Sequence, residues 1–323
     1  MVFEELKSER KIPVDLLFGT DWWTDCDDVA ALDILLKAHR QGLVSLKAIG
    51  LSSVMRYSAP SIKAVCEQHG LGDIPIGLTR DAERRGLFCM YQKKLAAYCT
   101  SGFSGADCPE ASRLYRGALS SLPGKAVIVD VGFPQILMRL LASGPDEYSD
   151  LDGKRLTEEK VSEIVIMGGR WDRSPGSEYN FRVYRQNRVS AAYVCEHSPV
   201  PLTFLGYEVG KSVVTGGKRV PGLTGTAYAA HLSPRGRPSW DPMTALLAVI
   251  GDAEKAGYRR IRGRATVDPR TGKNSFEAFE GGTHSYLVKE KDDLFYKKQI
   301  DEINGLQIGI PADRRPGTRE GTV

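Results

Sequence analysis

Residues 14–39, VDLLFGTDWWTDCDDVAALDILLKAH, hold a complete strand–loop–helix unit. The apolar run at residues 14–20 is typical of a buried strand, and apolar side chains recur at helical spacing over residues 27–39. Acids in the first turn mark the start of that helix. A strand followed by a helix is the repeating unit of a parallel sheet covered by helices. This stretch therefore predicts an α/β fold with a polar loop where such sheets bind ligands.

The same alternation of strands and helices continues along the chain. Short and nearly unbroken apolar runs, which suit central strands covered on both faces, lie at residues 46–51, 126–131, 164–167 and 202–205. Helical patterns lie at residues 60–69 and 135–142. We therefore expect an open, mostly parallel, Rossmann-like central sheet with helices on both faces.

Two segments interrupt this pattern. Residues 98–109 are rich in Gly, Ser, Cys and Asp, and residues 216–238 are rich in Gly, Pro, Thr and Arg. Either is a candidate domain boundary, but periodic apolar segments resume after both, which favours surface loops near a binding cleft. We expect one domain over residues 1–311 and a flexible tail over residues 312–323.

The composition excludes several classes of function. The 323 residues carry 44 Lys and Arg against 40 Asp and Glu, a formal net charge of +4 that does not favour binding to a nucleic-acid polymer. No window approaches the roughly 18 apolar residues of a membrane span. The charged N-terminal stretch lacks the apolar core of a signal peptide, and the six cysteines form no CxxC pair. We expect a cytoplasmic protein without a membrane partner and with reduced thiols.

The loop between the first strand and the first helix concentrates negative charge. Asp21, Asp25, Asp27 and Asp28 lie within eight positions. Acids in a first helical turn complement the helix dipole, which accounts for one or two of them. Four carboxylates in one loop repel one another unless a cation lies among them. A hard cation with oxygen ligands, Ca²⁺ or Mg²⁺, resolves that repulsion, although the spacing is not that of an EF-hand.

This loop resembles the signature of the nucleoside hydrolases, or nucleoside N-ribohydrolases. Their common form is Asp-Thr-Asp-Pro-Gly-x-Asp-Asp, and the present loop is similar to a form two residues longer that one branch carries. Four further stretches resemble motifs of the family in the same order, namely EIVIMGG at 163–169, EYNF at 178–181, FLGYEVG at 204–210 and SWDP at 239–242. The resemblance spans residues 12–305. It implies the nucleoside hydrolase fold, a small nucleoside-like substrate and a homodimer or homotetramer.

The resemblance also implies a Ca²⁺ site at the bottom of a pocket. Its ligands would be the carboxylates of Asp21, Asp28 and Asp241 and the main-chain carbonyl of Gln135. Asp21 would act as the general base on a water whose pKa the metal lowers. The water would cleave the N-glycosidic bond and release base and ribose.

Three further residues would hold the sugar in this interpretation. Asp27, Glu178 and Asn180 match the positions that hydrogen-bond the ribose in the family. Asp27 is also a candidate catalytic residue, because carboxylates around the sugar stabilise an oxocarbenium-like transition state. Glu178 and Asn180 have a plainer alternative, which is to satisfy backbone groups of their own loop.

The departures from the family pattern bear on the substrate. Gly19 stands where the signature begins with Asp, and Trp22 and Trp23 replace a Pro-Gly or Ile-Gly pair. Met55 stands where a sugar-contacting Asn is usual, and Trp240 stands where better-known members have a His that can protonate the leaving base. These changes favour a modified nucleoside as the substrate. Glycosyl transfer, processing of a C-linked nucleoside, and non-catalytic binding on a retained fold remain the alternatives.

Several of these side chains have more than one interpretation. Trp22, Trp23 and Trp240 are candidates to contact the base, but adjacent tryptophans are more often packed in a core. Met55 is a candidate for the pocket wall. His284 is a candidate for the missing acid. Four arginines are candidates to bind a phosphate or carboxylate of the substrate, namely Arg56, Arg170, Arg173 and Arg182.

Overall fold

The computed structural model describes residues 2–9, 13–80 and 89–305. Its strands, in chain order, are β1 Val14–Thr20, β2 Val44–Leu51, β3 Ile76–Leu78, β4 Ala126–Asp130, β5 Val161–Met167, β6 Leu202–Leu205, β7 Val214–Thr215, β8 Arg237–Pro238, β9 Tyr258–Val267, β10 Asn274–Ala278 and β11 His284–Lys289.

The α-helices of the described residues lie before β1 and between successive strands up to β9, and one follows β11. They are α1 Val2–Glu9, α2 Asp27–Arg40, α3 Ser58–Gln68, α4 Met90–Ala96, α5 Ala111–Ser120, α6 Gln135–Leu141, α7 Gly153–Lys160, α8 Tyr179–Arg182, α9 Arg185–His197, α10 Tyr207–Gly210, α11 Gly222–Ala230, α12 Trp240–Ile250 and α13 Asp293–Gly305.

Nine of the described strands form one sheet, in the order β10-β9-β11-β6-β5-β4-β1-β2-β3. Strands β1 to β6 and β11 pair in parallel, whereas β9 pairs antiparallel with both β10 and β11. Strands β7 and β8 form a separate two-stranded sheet. The fold class predicted from the sequence, a mostly parallel sheet with helices on both faces, is confirmed.

The two faces of the sheet pack against different helices. Alternate side chains of a strand point to opposite faces, and in β1 Leu16 and Phe18 join one hydrophobic cluster while Leu17 joins the other. The first cluster includes the apolar residues of α2 and α12, and the second includes those of α5, α6 and α9. Strands covered on both sides need apolar residues at every position, which explains their unbroken apolar runs.

The position of β1 in the sheet creates a crevice. From β1 the chain moves outward through β2 and β3 on one side, while β4, β5 and β6 follow on the other side. The loops that follow β1 and β4 therefore leave in opposite directions, and ligands of open α/β sheets bind at such a point. Helix α12 is apolar on nearly every side and ends at Gly251, whose left-handed φ of 73° stops the helix.

The sequence-based boundaries agree closely with the structure in the central sheet. The predicted strands at residues 14–20 and 202–205 coincide with β1 and β6. The segment 216–238 was expected to be a loop but contains α11. The expected tail at residues 312–323 lies outside the described residues, and the single-domain organisation stays a prediction. Among the described residues, each helix is too short or too polar to span a lipid bilayer.

Candidate active site

The loop after β1 is held in place by hydrogen bonds to its own side chains. Trp22 adopts a left-handed backbone conformation with φ of 43°, which costs free energy in a residue other than glycine. Its N–H donates to Thr20 Oγ1 at 3.0 Å and to Asp28 Oδ1 at 3.2 Å. The N–H of Trp23 donates to Asp21 Oδ1 at 3.0 Å. These bonds compensate the backbone cost and fix the turn that carries the acids.

Three carboxylates meet where helices α2 and α12 begin. Oxygen atoms of Asp27, Asp28 and Asp241 lie within 4.8 Å of one another, and all three residues are buried. The backbone N–H of Asp241 donates to Asp27 Oδ2 at 3.1 Å. The structure thus brings together two acids of the first loop and the distant Asp241.

Burial and mutual repulsion raise the pKa values of these carboxyl groups. Desolvation is the largest cause at Asp21, Asp27, Asp28 and Asp241, and the charges of neighbouring aspartates add to it. The pKa of Asp28 rises to about 7, although a hydrogen bond from Thr20 partly offsets the desolvation. A cation placed among these groups would reverse that shift, because it favours every anionic form at once.

The donor set fits a hard divalent cation. Buried carboxylate oxygens are the ligands that Ca²⁺ and Mg²⁺ take in proteins, whereas zinc sites use Cys and His. The group of Asp27, Asp28 and Asp241 contains neither Cys nor His. Asp21 lines the same cavity as these three residues. We take this group as the candidate metal centre.

A second group of potential ligands lies beside the first but is occupied by protein contacts. Ligand atoms of Asp25, Cys26 and His231 lie within 4.8 Å of one another. His231 Nε2 lies 2.7 Å from the carbonyl oxygen of Thr24, and its Nδ1 lies 3.0 Å from Ser233 Oγ. Because both ring nitrogens are engaged, this group is not a candidate metal centre.

The acids form one part of the lining of a cavity of about 300 Å³ at the carboxyl ends of β1, β4 and β5. The residues that line it are Asp21, Trp23, Thr24, Asp25, Asp27, Asp28, Val131, Met167, Glu178, Tyr179, Asn180, Tyr207, Arg237, Trp240 and Asp241. The cavity therefore combines carboxylates with four aromatic side chains. A polyhydroxylated sugar with an aromatic substituent has matching chemistry.

Glu178 and Asn180 reach this cavity from the start of helix α8. Glu178 caps the helix, since its Oε1 accepts the N–H of Asn180 at 2.6 Å and its Oε2 accepts the N–H of Gly169 at 3.2 Å. Asn180 Nδ2 donates to the carbonyl oxygen of Val131 at 3.1 Å. Both side chains satisfy backbone groups, as the plainer interpretation expected, and both also line the cavity. Burial raises the pKa of Glu178 to about 7 despite the backbone donors.

The aromatic side chains brace one another at the cavity wall. Trp240 stacks on Tyr207 with a centroid distance of 5.5 Å, and its Nε1 donates to the carbonyl oxygen of Tyr207 at 2.8 Å. Trp23 packs edge-on against Tyr184 and at a tilt against Phe133. Rings held in this way present fixed apolar faces, which is what a stacking surface for a planar group requires.

Three residues singled out in the sequence do not line the cavity. Trp22 is fully buried, and its Nε1 donates to Ser61 Oγ at 2.8 Å. Met55 packs with Trp23 and Phe133 in a small buried cluster. Gln135 begins α6, and its side chain donates to Asn187 at 2.8 Å. Trp22 and Met55 therefore support the wall from behind rather than contact a ligand in this structure.

The other candidates also lie elsewhere. His284 pairs with Leu202, the first residue of β6, so it lies at the end of the sheet opposite the cavity. Arg170 pairs with Asp172 and lies over the ring of Tyr207, whereas Arg56, Arg173 and Arg182 do not line the cavity.

Some cavity residues were missed by sequence reasoning. Tyr179 and Tyr207 lie inside quoted motifs, at 178–181 and 204–210, and their aromatic character was the available signal. Arg237 lies in the segment 216–238 that was expected near a cleft, but no motif distinguishes it from surface arginines. In the structure it forms an ion pair with Asp25. The cavity thus contains one guanidinium group among its acids.

Solved structures with the same fold provide a comparison. The inosine-uridine preferring nucleoside hydrolase of Bacillus anthracis matches with a TM-score of 0.64 and 16% identity over 90% of this chain and 99% of that chain. The plant nucleoside hydrolase PpNRh1 matches with a TM-score of 0.65 and 16% identity over 91% and 100%. The type III effector XopQ, solved with adenosine diphosphate ribose, matches with a TM-score of 0.65 and 16% identity over 94% and 97%. No protein-family model and no curated protein matches the sequence.

These matches define the class of fold. The chain has the nucleoside hydrolase fold over nearly its whole length, which confirms at the level of the fold the resemblance seen in the motifs. A sequence identity of 16% shows a shared fold but does not show a shared activity.

Proposed function

We propose that this protein is a glycosidase that hydrolyses the N-glycosidic bond of a nucleoside-like substrate and depends on Ca²⁺. One observation carries the proposal: Asp21, Asp27, Asp28 and Asp241 converge, buried, in a cavity that also has aromatic walls. Four carboxylates without a cation would be unfavourable there. The shared fold with nucleoside hydrolases supports the same function.

The metal ligands follow from the resemblance and the cavity together. Asp21, Asp28 and Asp241 would hold the ion. Gln135, whose carbonyl the resemblance implies as a fourth ligand, does not line the cavity. Ca²⁺, when bound, would lower the pKa of a water and balance the negative charge of the cavity.

The side chains of the cavity would carry out the reaction. Asp21 would accept a proton from water as the water oxygen attacks the anomeric carbon. The bond from that carbon to the base nitrogen breaks, and its electron pair leaves with the base. The positive charge that develops on the sugar is stabilised by the surrounding carboxylates, Asp27 among them. Glu178 and Asn180 would hold the sugar hydroxyls.

The leaving base needs a proton that the usual histidine does not provide here. Trp240 occupies that position, and His284 lies at the opposite end of the sheet. The cavity lining includes two phenol groups, of Tyr179 and Tyr207, and one guanidinium group, of Arg237, that carry protons on polar atoms. Loss of one general acid lowers the rate by about 10²–10⁴-fold. A substrate whose base leaves easily is therefore favoured.

We infer that the substrate is not a common ribonucleoside. Met55 cannot donate a hydrogen bond to the sugar, because its side chain is a thioether and is buried with Trp23 and Phe133. Arg237, although paired with Asp25, is the guanidinium group in the cavity lining that an anionic substituent of a substrate would contact. The XopQ structure contains adenosine diphosphate ribose, and we include this compound among the candidate substrates.

Mass spectrometry of a substrate panel tests the proposal. The Ca²⁺-loaded protein is incubated with inosine, uridine, adenosine, cytidine, modified and C-linked nucleosides, and adenosine diphosphate ribose. We expect cleavage of a modified or anionic member, negligible base release from the four common nucleosides, and none by Asp21→Asn. Ready turnover of a common nucleoside would contradict the inferred substrate class. Binding without cleavage of any member would favour a non-catalytic binding protein, and a glycosylated acceptor would favour transfer.

We further propose a single domain that assembles into a homodimer or homotetramer in the cytoplasm. Light scattering of the purified protein measures the assembly. A monomer over the micromolar range would contradict it.

A further inference from the structure

Strands β1 and β4 contain a matched pair of residues beneath the cavity. Gly19 of β1 and Asp130 of β4 are register partners in the parallel sheet. A Cβ atom on Gly19 would lie 2.7 Å from Asp130 Oδ1 and 3.0 Å from Asp130 Cγ. The Asp130 carboxyl group therefore occupies the space that a side chain at position 19 would need, and only glycine fits there.

This pairing matters because position 19 is where the signature that the loop resembles begins with an aspartate. The present chain lacks that carboxylate on β1. It nevertheless has a buried carboxylate at the same level of the sheet, 1% exposed, on the neighbouring strand. We propose that Asp130 supplies from β4 the carboxylate that the signature places on β1, and that it is a positioning residue for the candidate metal centre. The part about the metal centre rests on the proposed function.

The contacts of Asp130 show what it positions. Its Oδ1 accepts the N–H of Gly132 at 3.1 Å, and the N–H of Val131 donates to the carbonyl oxygen of Gly19 at 2.8 Å. Gly132 in turn packs directly on the backbone of Asp21, so closely that a Cβ atom at residue 132 would overlap the Asp21 nitrogen. Asp130 thereby holds the turn after β4 against the loop that carries the acids.

The same turn extends into the cavity. Val131 lines the cavity, and its carbonyl oxygen accepts a hydrogen bond from Asn180 Nδ2 at 3.1 Å. The N–H of Phe133 donates to Ser52 Oγ at 2.9 Å. Residues that orient a ligand shell from behind commonly change metal affinity by about 10–100-fold when they are removed. Loss of the Asp130 carboxylate should therefore loosen the turn and weaken Ca²⁺ binding.

Moving the carboxylate between strands tests the proposal. The variants are Asp130→Ala alone, Gly19→Asp with Asp130→Ala, and the matched control Gly19→Ala with Asp130→Ala. Hydrogen exchange of residues 131–135 is measured in the metal-free protein. We expect exchange to accelerate about tenfold in the single variant and in the matched control, because Gly132 loses its acceptor. Exchange should return to within about threefold of the wild type when Asp is present at position 19.

Calcium titration of the same proteins supplies the second measurement. We expect Asp130→Ala to weaken Ca²⁺ binding by about 10–100-fold and Gly19→Asp with Asp130→Ala to recover most of that loss. Equal exchange rates and equal affinities in the transposed variant and the matched control would overturn the proposal. If the wild type bound no Ca²⁺, the proposed function would fail, and the exchange rates would still decide whether Asp130 holds the turn.

Discussion

The backbone N–H of Asp241 donates a hydrogen bond to Asp27 Oδ2 at 3.1 Å, which joins the first turns of α2 and α12. Residues separated by more than two hundred positions thus share one polar contact at the candidate metal centre. The contact makes Asp27 an anchor for Asp241, a candidate metal ligand from a distant part of the chain.

We predict that the hydrogen bond accepted by Asp27 and its negative charge contribute separately to Ca²⁺ binding. Asp27→Asn keeps an oxygen that can accept the Asp241 N–H, whereas Asp27→Ala removes it. Asp27→Ala should therefore weaken Ca²⁺ binding about tenfold more than Asp27→Asn, in the range usual for residues that orient a metal ligand. Calorimetric titration measures both variants. Equal losses would show that only the charge of Asp27 matters.

The adjacent tryptophans of the first loop should behave differently. Trp22→Ala empties a fully buried site and should lower the free energy of unfolding by about 3–5 kcal/mol. Urea unfolding measures this change. Phe279→Ala, at a residue that is 47% exposed, is the control and should cost far less. A small loss at Trp22 would mean that its ring does not belong to the core.

Trp240 should contribute to substrate binding rather than to the chemical step. Its ring lines the cavity and stacks on Tyr207. Trp240→Leu keeps an apolar group but removes the flat face, so KM should rise about tenfold while kcat changes less than threefold, as stacking energies of about 1–3 kcal/mol imply. Steady-state kinetics on the substrate found in the panel measure both constants. A fall in kcat with unchanged KM would assign Trp240 to the reaction itself.

His284 should make stability depend on pH. Its Nδ1 accepts the N–H of Ala265 at 3.1 Å, and burial together with the charge of Arg264 lowers its pKa. The unfolded state therefore binds the proton more readily than the folded state. The contribution of neutral His284 to the free energy of unfolding is complete above pH ~6.5 and is lost as the pH falls. His284→Gln keeps an acceptor and does not titrate, so it should lose less stability between pH 7.5 and 5.5. Parallel losses in both proteins would contradict this role, and full activity of the variant would agree with its distance from the cavity.

The strands of the central sheet were predictable because each one is marked by a local run of apolar residues. Strands β1 and β6 are unbroken apolar runs, since both faces are covered, and their boundaries follow directly from the sequence. Strand β9 was not predicted. Arginines alternate along it between residues 260 and 264, where it joins antiparallel neighbours near the sheet edge, and this leaves no apolar run to detect.

The site was predictable only in part. Asp21, Asp28 and Asp241 lie in motifs that are visible in the sequence, and the structure places all three in one cavity. The sequence does not show in which direction two adjacent side chains point. Trp22 points into the core, whereas Trp23 lines the cavity. Arg237 reaches the cavity through a long-range contact with Asp25, which no local pattern encodes.

Calorimetric titration of Ca²⁺ into the metal-free protein tests the central claim most directly, with Asp28→Asn as the matched variant. Asp28 is buried beside Asp27 and Asp241, and the substitution removes one charge while it keeps the size of the side chain. We predict one Ca²⁺ per chain in the wild type and binding at least about 100-fold weaker in Asp28→Asn. Absence of binding by the wild type, or equal binding by both proteins, would contradict a calcium-dependent glycosidase at this site.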